Sequence, residues 1–372
     1  MTASNGSSVS TPLQDLIRQA IDAAGGWLGF DRFMELALYA PGLGYYANAK
    51  RKFGLLPESG SDFVTAPELS PLFGRALAAQ LDQALTATAT RELYEFGAGT
   101  GALAAQLLQE LGERITRYRI VDLSGSLRAR QAERLAPWGD KVEWLDHLPE
   151  RIEGVVVGNE VLDAMPVQLI RYDGRQWAER GVVWDAAQAA FAWAERPSTL
   201  RPPLDEDAGE APFMPGYLTE LHAQGEAFVR TLAQRLARGA VFLFDYGFPA
   251  AEYYHPQRHG GTLMCHHGHK ADPDPLQLVG EKDITAHVNF SAIALAGQEA
   301  GLNVLGYTSQ ANFLINCGLV DLLCEADLAG RAMAHRLITE HEMGELFKVI
   351  GFATGAGFDA RGFMAGDRSH ML

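Results

Sequence analysis

Cysteine and long apolar runs are both scarce in this sequence. The 372 residues contain three cysteines, Cys265, Cys317 and Cys324. They are too few and too scattered for a disulfide framework, so we expect a reducing compartment. No stretch approaches the ~20 consecutive apolar residues of a membrane span. The sequence thus excludes a disulfide-rich secreted protein and predicts no membrane insertion.

Positive charge is also in short supply. Lys and Arg number 31 against 46 Asp and Glu, which gives a formal net charge of −15. Because such a surface repels phosphate, no nucleic-acid partner is expected, and a cationic partner is mildly favoured. Residues 1–11 are rich in Ser and Thr, without an apolar centre or arginine. They fit neither a secretory signal nor a mitochondrial presequence, so we predict a disordered tail and a bacterial cytoplasmic protein.

Glycine is abundant at one decisive place, residues 95–101, which read Glu-Phe-Gly-Ala-Gly-Thr-Gly. The preceding Glu92–Phe96 is typical of a buried strand, and residues 102–111 repeat leucine on one helical face. A strand-to-helix turn with so few side chains lets a ligand touch the backbone N–H groups at the start of the helix. The candidate cofactor-binding residues here are Glu95, Gly97, Ala98, Gly99, Thr100 and Gly101.

Two classes of ligand use such a turn. Residues 97–102 fit the dinucleotide fingerprint with alanine in the third place, which would indicate a nicotinamide-dependent oxidoreductase. Read from Glu95, the same residues match the pattern of S-adenosylmethionine (SAM) methyltransferases. A cationic ligand attracts the Glu95 carboxylate, whereas a pyrophosphate would be repelled by it. The pattern therefore favours SAM.

Polar residues follow each of the next three predicted strands. Asp122 ends the second strand, 21 residues after Gly101, near the spacing at which a carboxylate binds a ribose diol. A third strand, 142–145, ends at Asp146 and His147, where adenine contacts are expected. The fourth strand, 154–159, leads into Asn159, Glu160 and Asp163, beyond a sheet edge where open α/β folds bind ligands. Leu123 completes the set of candidate cofactor contacts.

The rest of the chain predicts additions to this nucleotide fold. Residues 12–90 begin with an amphipathic helix and are expected to form a helical lid, and residues 91–372 the SAM-binding domain. We expect insertions at about 167–215, 247–290 and 310–341. Three short strands precede a polar loop at 197–215; then follow a helix over 217–236 and strands at 240–245, 303–308 and 345–352.

A run of potential metal ligands occupies residues 265–269, Cys-His-His-Gly-His. Adjacent residues cannot all converge on one tetrahedral ion, and no second cluster completes the set. We therefore predict no metal site, and a loop at the mouth of the substrate site instead. His287 lies in a separate polar run, 283–289, where a catalytic role and a structural one are equally compatible with the sequence.

Several long motifs together resemble the MidA-like family of SAM-dependent methyltransferases. They are residues 33–39 with 44–46, 62–74, 95–101, 158–167, 244–247, 261–264 and 283–291. The resemblance covers nearly all of the chain after about residue 12. It implies a Rossmann-like α/β class I methyltransferase with a mostly parallel seven-stranded sheet, helices on both faces and an N-terminal lid. Members often carry Glu where this chain has Asp122, which shortens the reach to the ribose.

The resemblance also implies an activity, with SAM as cofactor and S-adenosylhomocysteine as product. The family includes a mitochondrial complex I assembly factor that methylates an arginine of a complex I subunit, so a protein arginine is the expected substrate. Because a guanidinium is protonated, carboxylates near the methyl group would orient it and take up its proton. The candidate catalytic residues are Glu160 and Asp163, then Glu68, Asp283 and His287. A docking factor that binds SAM without turnover is the alternative, and a homodimer is compatible with the sequence.

Overall fold

The computed structural model describes residues 11–48, 65–122, 125–203, 213–268 and 270–372, with the backbone alone at 125 and 126. Within these ranges no helix is long and apolar enough to cross a membrane. Residues 1–10 of the predicted tail, residues 49–64 and 204–212, Leu123, Ser124 and His269 lie outside the described residues.

Sixteen strands occur in the described ranges. In chain order they are β1 Leu28–Gly29, β2 Glu92–Phe96, β3 Arg117–Val121, β4 Val142–Leu145, β5 Ile152–Asn159, β6 Gln168–Tyr172, β7 Trp177–Asp185, β8 Ala190–Pro197, β9 Leu218–Leu221, β10 Leu236–Phe248, β11 Met264–His267, β12 Lys270–Asp272, β13 Asp283–Thr285, β14 Val288–Asn289, β15 Asn303–Ser309 and β16 Phe347–Ala353.

Twelve α-helices occur in the same ranges. They are α1 Pro12–Ala23, α2 Phe30–Tyr39, α3 Ala66–Leu69, α4 Pro71–Ala87, α5 Ala102–Leu111, α6 Gly125–Leu135, α7 Ala223–Arg235, α8 Ala250–Tyr253, α9 Phe290–Glu299, α10 Gln310–Asn316, α11 Leu319–Glu325 and α12 Leu328–Ile338. Thr11 caps α1 through a reciprocal capping box with Gln14. This arrangement satisfies two backbone N–H groups at the start of the helix.

Seven strands form the central sheet in the order β15-β16-β10-β5-β2-β3-β4, and β14 adds to β10. All neighbours are parallel except at β16, which runs antiparallel to β10 and β15. β5 and β10 are almost continuously buried, as central parallel strands covered on both faces should be. The predicted fold class, a mostly parallel seven-stranded sheet with helices on both faces, is confirmed.

Two apolar cores lie on opposite faces of this sheet. One packs α4 and α5 against it and includes Phe73, Leu107 and Phe242. The other packs α7 and α9 and includes Val229 and Ile293. Because both faces are covered, ligands can reach the sheet only at its edges, and the carboxyl edge is where the loops of interest gather.

A second, antiparallel sheet and the N-terminal helices lie over that edge. β1, β7, β6 and β9 pair in this order, with β8 beside β7. Their apolar side packs on α1 and α2 around Phe33, Ile17 and Val182. The small sheet β12-β11-β13 packs against the same core through Cys265 and Ile284. These additions roof the region into which the central strands open.

Three local predictions are wrong. The predicted helix over 217–236 is interrupted, because residues 218–221 form β9 and pair with β6, so that the helix occupies Ala223–Arg235. The fifth strand is longer than predicted, Leu236–Phe248, because it pairs with both β5 and β16. Residues 264–267 form β11 rather than a loop, since β12 and β13 pair on either side of it.

Candidate active site

A cavity of about 1060 Å³ opens at the carboxyl ends of β2, β3, β5 and β10. The glycine turn forms its floor on one side, and Gly97, Gly99 and Gly101 all have left-handed backbones with φ of 62°, 54° and 80°. Other residues rarely adopt such angles, so the glycines are needed for this turn. Gly97, Ala98, Gly99 and Thr100 line the cavity, whereas Gly101 lies behind it as the N-cap of α5.

Glu95 lies beneath the glycine turn and lines the cavity although it is only 2% exposed. Its carboxylate accepts a hydrogen bond of 2.7 Å from the Tyr118 hydroxyl. Burial raises the pKa of Glu95 to about 8, against the smaller lowering effect of the Tyr118 hydrogen bond. A positive charge in the cavity would favour the ionised form of this carboxyl group.

Asp122 also lines the cavity, and its Oδ2 accepts a hydrogen bond of 2.8 Å from Gln131 on α6. A carboxylate at this strand end suits a ribose diol, because two hydroxyl groups can donate to its two oxygens. The structure does not bring Asp146 and His147 to the cavity. Both are exposed, and Asp146 forms an ion pair of 2.7 Å with Arg128, so the expected adenine contacts from these two residues remain a prediction.

The loop after β5 is held by a single buried carboxylate. Asp245 on β10 is fully buried, and its Oδ2 accepts the backbone N–H groups of Val161, Leu162 and Asp163 at 3.1, 2.8 and 3.2 Å. Three successive amides on one anion form a concave nest. The loop that carries the acidic candidates is therefore fixed by the end of the neighbouring strand.

Glu160 begins this loop with a left-handed backbone, φ 55°. A residue with a Cβ pays about 1–2 kcal/mol for this conformation, and such strain is common at functional sites. Glu160 lines the cavity and accepts a hydrogen bond of 2.9 Å from the Asn159 side-chain amide. Burial and the nearby Asp163 raise the pKa of Glu160 to about 8.

Asp163 is 4% exposed and faces the cavity. The Tyr246 hydroxyl donates to its Oδ2. Its Oδ1, and likewise Oδ1 of Asn159, accepts no hydrogen bond from the part of the chain that the structure describes. Burial raises the pKa of Asp163 and that of Asp245. A buried acceptor without a donor is costly, so these two oxygens indicate where a ligand's N–H groups would bind.

Two tyrosines of the N-terminal region face these acids. The rings of Tyr39 and Tyr46 stack with centroids 5.5 Å apart. The Tyr39 hydroxyl donates to the backbone oxygen of Ala164 at 2.8 Å, and the Tyr46 hydroxyl donates to Oδ1 of Asp283 at 2.8 Å. Burial raises the pKa of both tyrosines, so both remain neutral donors. Asp283 thus lies at the same cavity as Glu160 and Asp163.

The other two catalytic candidates lie at different places. Oε1 of Glu68 accepts hydrogen bonds from the Thr100 hydroxyl of the glycine turn and, at 3.0 Å, from the Arg134 guanidinium. Glu68 therefore lies on the glycine-turn side of the cavity. His287 lines the cavity beside Tyr246, with ring centroids 5.2 Å apart. Burial lowers the pKa of His287 to about 4, so its ring is neutral near pH 7.

Sequence reasoning missed the roles of Asp245, Tyr246 and Gln131. The first two lie in the motif at residues 244–247, directly after a predicted strand, so their position signalled the cavity without revealing their partners. Gln131 had no signal, because it is an ordinary residue within an amphipathic helix. Within the described ranges, no group of three or more His, Cys, Asp or Glu residues is placed to hold a metal ion.

The site residues fit the cofactor that the glycine turn suggested. The turn presents backbone rather than side chains, Asp122 offers a carboxylate for a diol, and the surrounding carboxylates would tolerate a sulfonium cation. A pyrophosphate would instead lie beside the carboxyl groups of Glu95 and Glu160, which offer it no positive charge. The nicotinamide alternative is thus disfavoured, because the ionised form of either group would repel its phosphates.

Comparisons with known proteins agree with this geometry. A crystal structure of a protein from Burkholderia thailandensis bound to S-adenosyl-homocysteine is 52% identical, with a TM-score of 0.92 over 98% of this chain and 99% of that chain. The protein arginine methyltransferase NDUFAF7 of Danio rerio is 28% identical and covers 87% of this chain and 83% of its own. The mouse NDUFAF7 is 27% identical, with coverages of 85% and 78%.

A family model described as S-adenosyl-L-methionine-dependent methyltransferase matches residues 72–308. That range contains the glycine turn, Asp122, the loop after β5 and the strand that holds it. The predicted cofactor and the MidA-like resemblance are therefore confirmed. The chain belongs to this family of SAM-dependent methyltransferases.

Proposed function

We propose that this methyltransferase acts on an arginine side chain of a protein. The observation that carries the proposal is the buried Oδ1 of Asp163, which accepts no hydrogen bond from the described residues and lies at the same cavity as the carboxyl groups of Glu160 and Asp283. A guanidinium has five N–H donors in a planar fork and carries a positive charge. It is the protein side chain that best satisfies several carboxylate acceptors together.

Methylation of arginine brings two positive charges together, that of the guanidinium and that of SAM, and the acidic residues of the cavity can offset them. Bound SAM supplies an electrophilic methyl group. The guanidinium must approach it as a cation and lose one proton when its nitrogen is methylated. The positive charges of SAM and the guanidinium would favour the ionised forms of Glu160 and Asp163, which then balance that charge. The raised pKa values of both groups suit them to accept the released proton near neutral pH. Burial raises the pKa of Asp163, and the hydrogen bond from the Tyr246 hydroxyl offsets part of that rise.

The distribution of hydroxyl donors also supports a cationic substrate. Tyr46 donates to Asp283 and Tyr246 donates to Asp163. Each hydroxyl occupies one carboxylate oxygen and orients the group, and in Asp163 this leaves the second oxygen for the substrate. The names of the NDUFAF7 relatives, at 28% and 27% identity, point to the same substrate class.

The proposal is tested by finding the methylated residue. The purified protein is incubated with methyl-labelled SAM and a cell lysate, and labelled peptides are sequenced by mass spectrometry. We expect label on arginine, and none when Glu160→Gln and Asp163→Asn are combined. Label on another residue type would overturn the arginine assignment. SAM binding without any labelled product would favour the docking factor that the sequence left open.

A further inference from the structure

We infer that Gln131 is a positioning residue that sets the cofactor's ribose site from behind the cavity wall. Gln131 lies on α6, is fully buried, and does not itself line the cavity. Its side-chain amide Nε2 donates to the Gly99 oxygen at 2.9 Å and to Asp122 Oδ2 at 2.8 Å. One amide group thus joins the glycine turn to the carboxylate at the end of β3.

The orientation of this amide is determined by its third partner. Oε1 of Gln131 accepts a hydrogen bond of 2.8 Å from the indole Nε1 of Trp144 on β4. An indole N–H can only donate, and a peptide oxygen can only accept. The reversed amide would therefore place its oxygen against the Gly99 oxygen and its hydrogens against the indole N–H. Only the observed orientation satisfies all three groups.

The arrangement is specific to glutamine. Glutamate would retain an acceptor for Trp144 but would lose both donors and place a second negative charge beside Asp122. Methionine would match the length but make none of the three hydrogen bonds. The α6 helix lies next to the glycine turn, because a Cβ at Gly101 would be 3.5 Å from the Gln131 backbone, an ordinary van der Waals distance.

A structural role and a positioning role predict different binding results. If Gln131 only packs α6, its loss should weaken all adenosyl ligands equally. If it holds Asp122 for the ribose diol, its loss should weaken mainly the ligands that carry the hydroxyl group to which Asp122 binds. The inference rests on the cofactor of the family and not on the arginine substrate, so it survives if another residue type proves to be methylated.

The test measures dissociation constants by calorimetry for S-adenosylhomocysteine and for its 2′-deoxy and 3′-deoxy analogues. In the parent, removal of a hydroxyl bound to the Asp122 carboxylate should weaken binding by about 10- to 100-fold, the range for a hydrogen bond to a charged group. In Gln131→Met, S-adenosylhomocysteine should bind about tenfold more weakly, and the penalty for the missing hydroxyl should shrink to about threefold or less. Such non-additivity is the signature of coupled groups.

Gln80→Met is the matched control. Gln80 is also a fully buried helical glutamine with hydrogen bonds from both ends of its amide, one accepted from the Gly362 N–H at 2.8 Å and one donated to Gln83 at 3.1 Å. Gln80 is not among the residues that line the cavity, so this variant should lose stability while keeping the parental ligand ratios. Thermal unfolding of each variant separates stability from affinity.

A second variant keeps the test decisive if the Gln131→Met protein does not fold. Trp144→Phe removes the indole N–H that orients the amide, together with part of the ring that packs against the core, and should reduce the same hydroxyl penalty to a lesser degree. An unchanged ratio between S-adenosylhomocysteine and its deoxy analogues in the folded variants would overturn the inference. Parental affinity of Gln131→Met for S-adenosylhomocysteine would overturn it as well.

Discussion

The cavity has two halves that are built in different ways. The cofactor half consists of the glycine turn and Asp122, which come from one β2-α5-β3 unit. The substrate half consists of Tyr39, Tyr46, Glu160, Asp163, Tyr246 and Asp283, which come from four separate stretches of the chain. The cofactor half presents mainly backbone, whereas the substrate half presents ionisable side chains. Substitutions in the cofactor half should therefore change the shape of the cofactor site, whereas substitutions in the substrate half should change the protonation of its acidic side chains.

The largest effect should come from blocking the cofactor half. Gly99→Val places a branched side chain at a left-handed position that lines the cavity. We expect S-adenosylhomocysteine binding to disappear in calorimetry while the fold survives. Gly318→Val is the control, since Gly318 has φ 90° and open space around its Cβ direction; it should bear the backbone strain and still bind. Parental affinity of Gly99→Val would place the cofactor elsewhere.

The acids of the substrate half should affect rate rather than cofactor affinity. Glu160→Gln or Asp163→Asn should lower the methylation rate by roughly 100-fold or more, the usual contribution of a positioned acid–base group. The dissociation constant of S-adenosylhomocysteine should stay within about threefold of the parent, since uncoupled sites behave additively. Rates are measured in single turnover with a peptide identified from the lysate.

Glu35→Gln is the control for these acids, because Glu35 also lines the cavity but is half exposed and paired with Arg32 at 2.5 Å. It should keep the parental rate. Parental rates in both amide variants would make Glu160 and Asp163 structural. Loss of cofactor binding in both would assign them to the cofactor half and move the search for the catalytic acid to Glu68 and Asp283.

A moderate effect is expected at Asp122. Asp122→Asn keeps the shape of the side chain but removes the charge that the ribose hydroxyl groups would meet. Cofactor binding should weaken by roughly 1.5–3 kcal/mol, the range for hydrogen bonds to a charged group. Calorimetry with S-adenosylhomocysteine measures this loss. A change below about 0.5 kcal/mol, within the range of an ordinary surface substitution, would mean that the ribose binds elsewhere.

Glu95 should make the stability of the ligand-free protein depend on pH. Its pKa is about 8 in the folded chain and near 4.5 in an exposed glutamate, so between these values the folded state binds the extra proton. Stability should therefore fall as pH rises from about 4.5 to about 8, by at most about 1.4 kcal/mol per pH unit. Urea unfolding should give a difference between the parent and Glu95→Gln that changes across this range. A constant difference would contradict the raised pKa.

The smallest effect concerns the strained backbone of Glu160. Glu160→Gly relieves the left-handed strain but adds flexibility to the unfolded chain, so the gain in unfolding free energy should be up to about 1 kcal/mol. The variant should nevertheless lose methylation activity. Ala89→Gly, at φ 49° on the far end of α4, should gain similar stability without loss of activity. A destabilised Glu160→Gly would mean that the carboxylate contributes more to folding than its strain costs.

The two halves also differ in how far the sequence could predict them. The glycine turn and Asp122 follow from spacing along the chain, because a strand–turn–helix unit is local. The mostly parallel seven-stranded sheet was expected from the family resemblance, and it is confirmed. Local periodicity failed at residues 218–221, where pairing with β6 outweighs the helical pattern of the residues that follow.

The substrate half required the structure. Glu160, Asp163 and Asp283 were predicted as acids near the site, but no spacing could relate Tyr46 to Asp283 or Tyr246 to Asp163. These partners meet because the N-terminal helices and the inserted strands fold over the sheet edge. Likewise, His147 and Asp146 follow a correctly predicted strand, yet their side chains point to solvent, which a strand boundary alone does not determine.

The nest at Asp245 has a consequence for the kinds of molecule this enzyme can admit. Successive amides at a sheet edge ordinarily recruit phosphate or carboxylate groups from solution. Here Oδ2 of Asp245 already accepts the N–H groups of residues 161–163, so these groups are not available to a ligand. At this wall an anionic metabolite would meet the carboxyl groups of Glu160, Asp163 and Asp283 and would find no free backbone N–H donor among residues 161–163. The fold thus withholds backbone donors from an anion at this wall, as the cationic substrate proposed above requires.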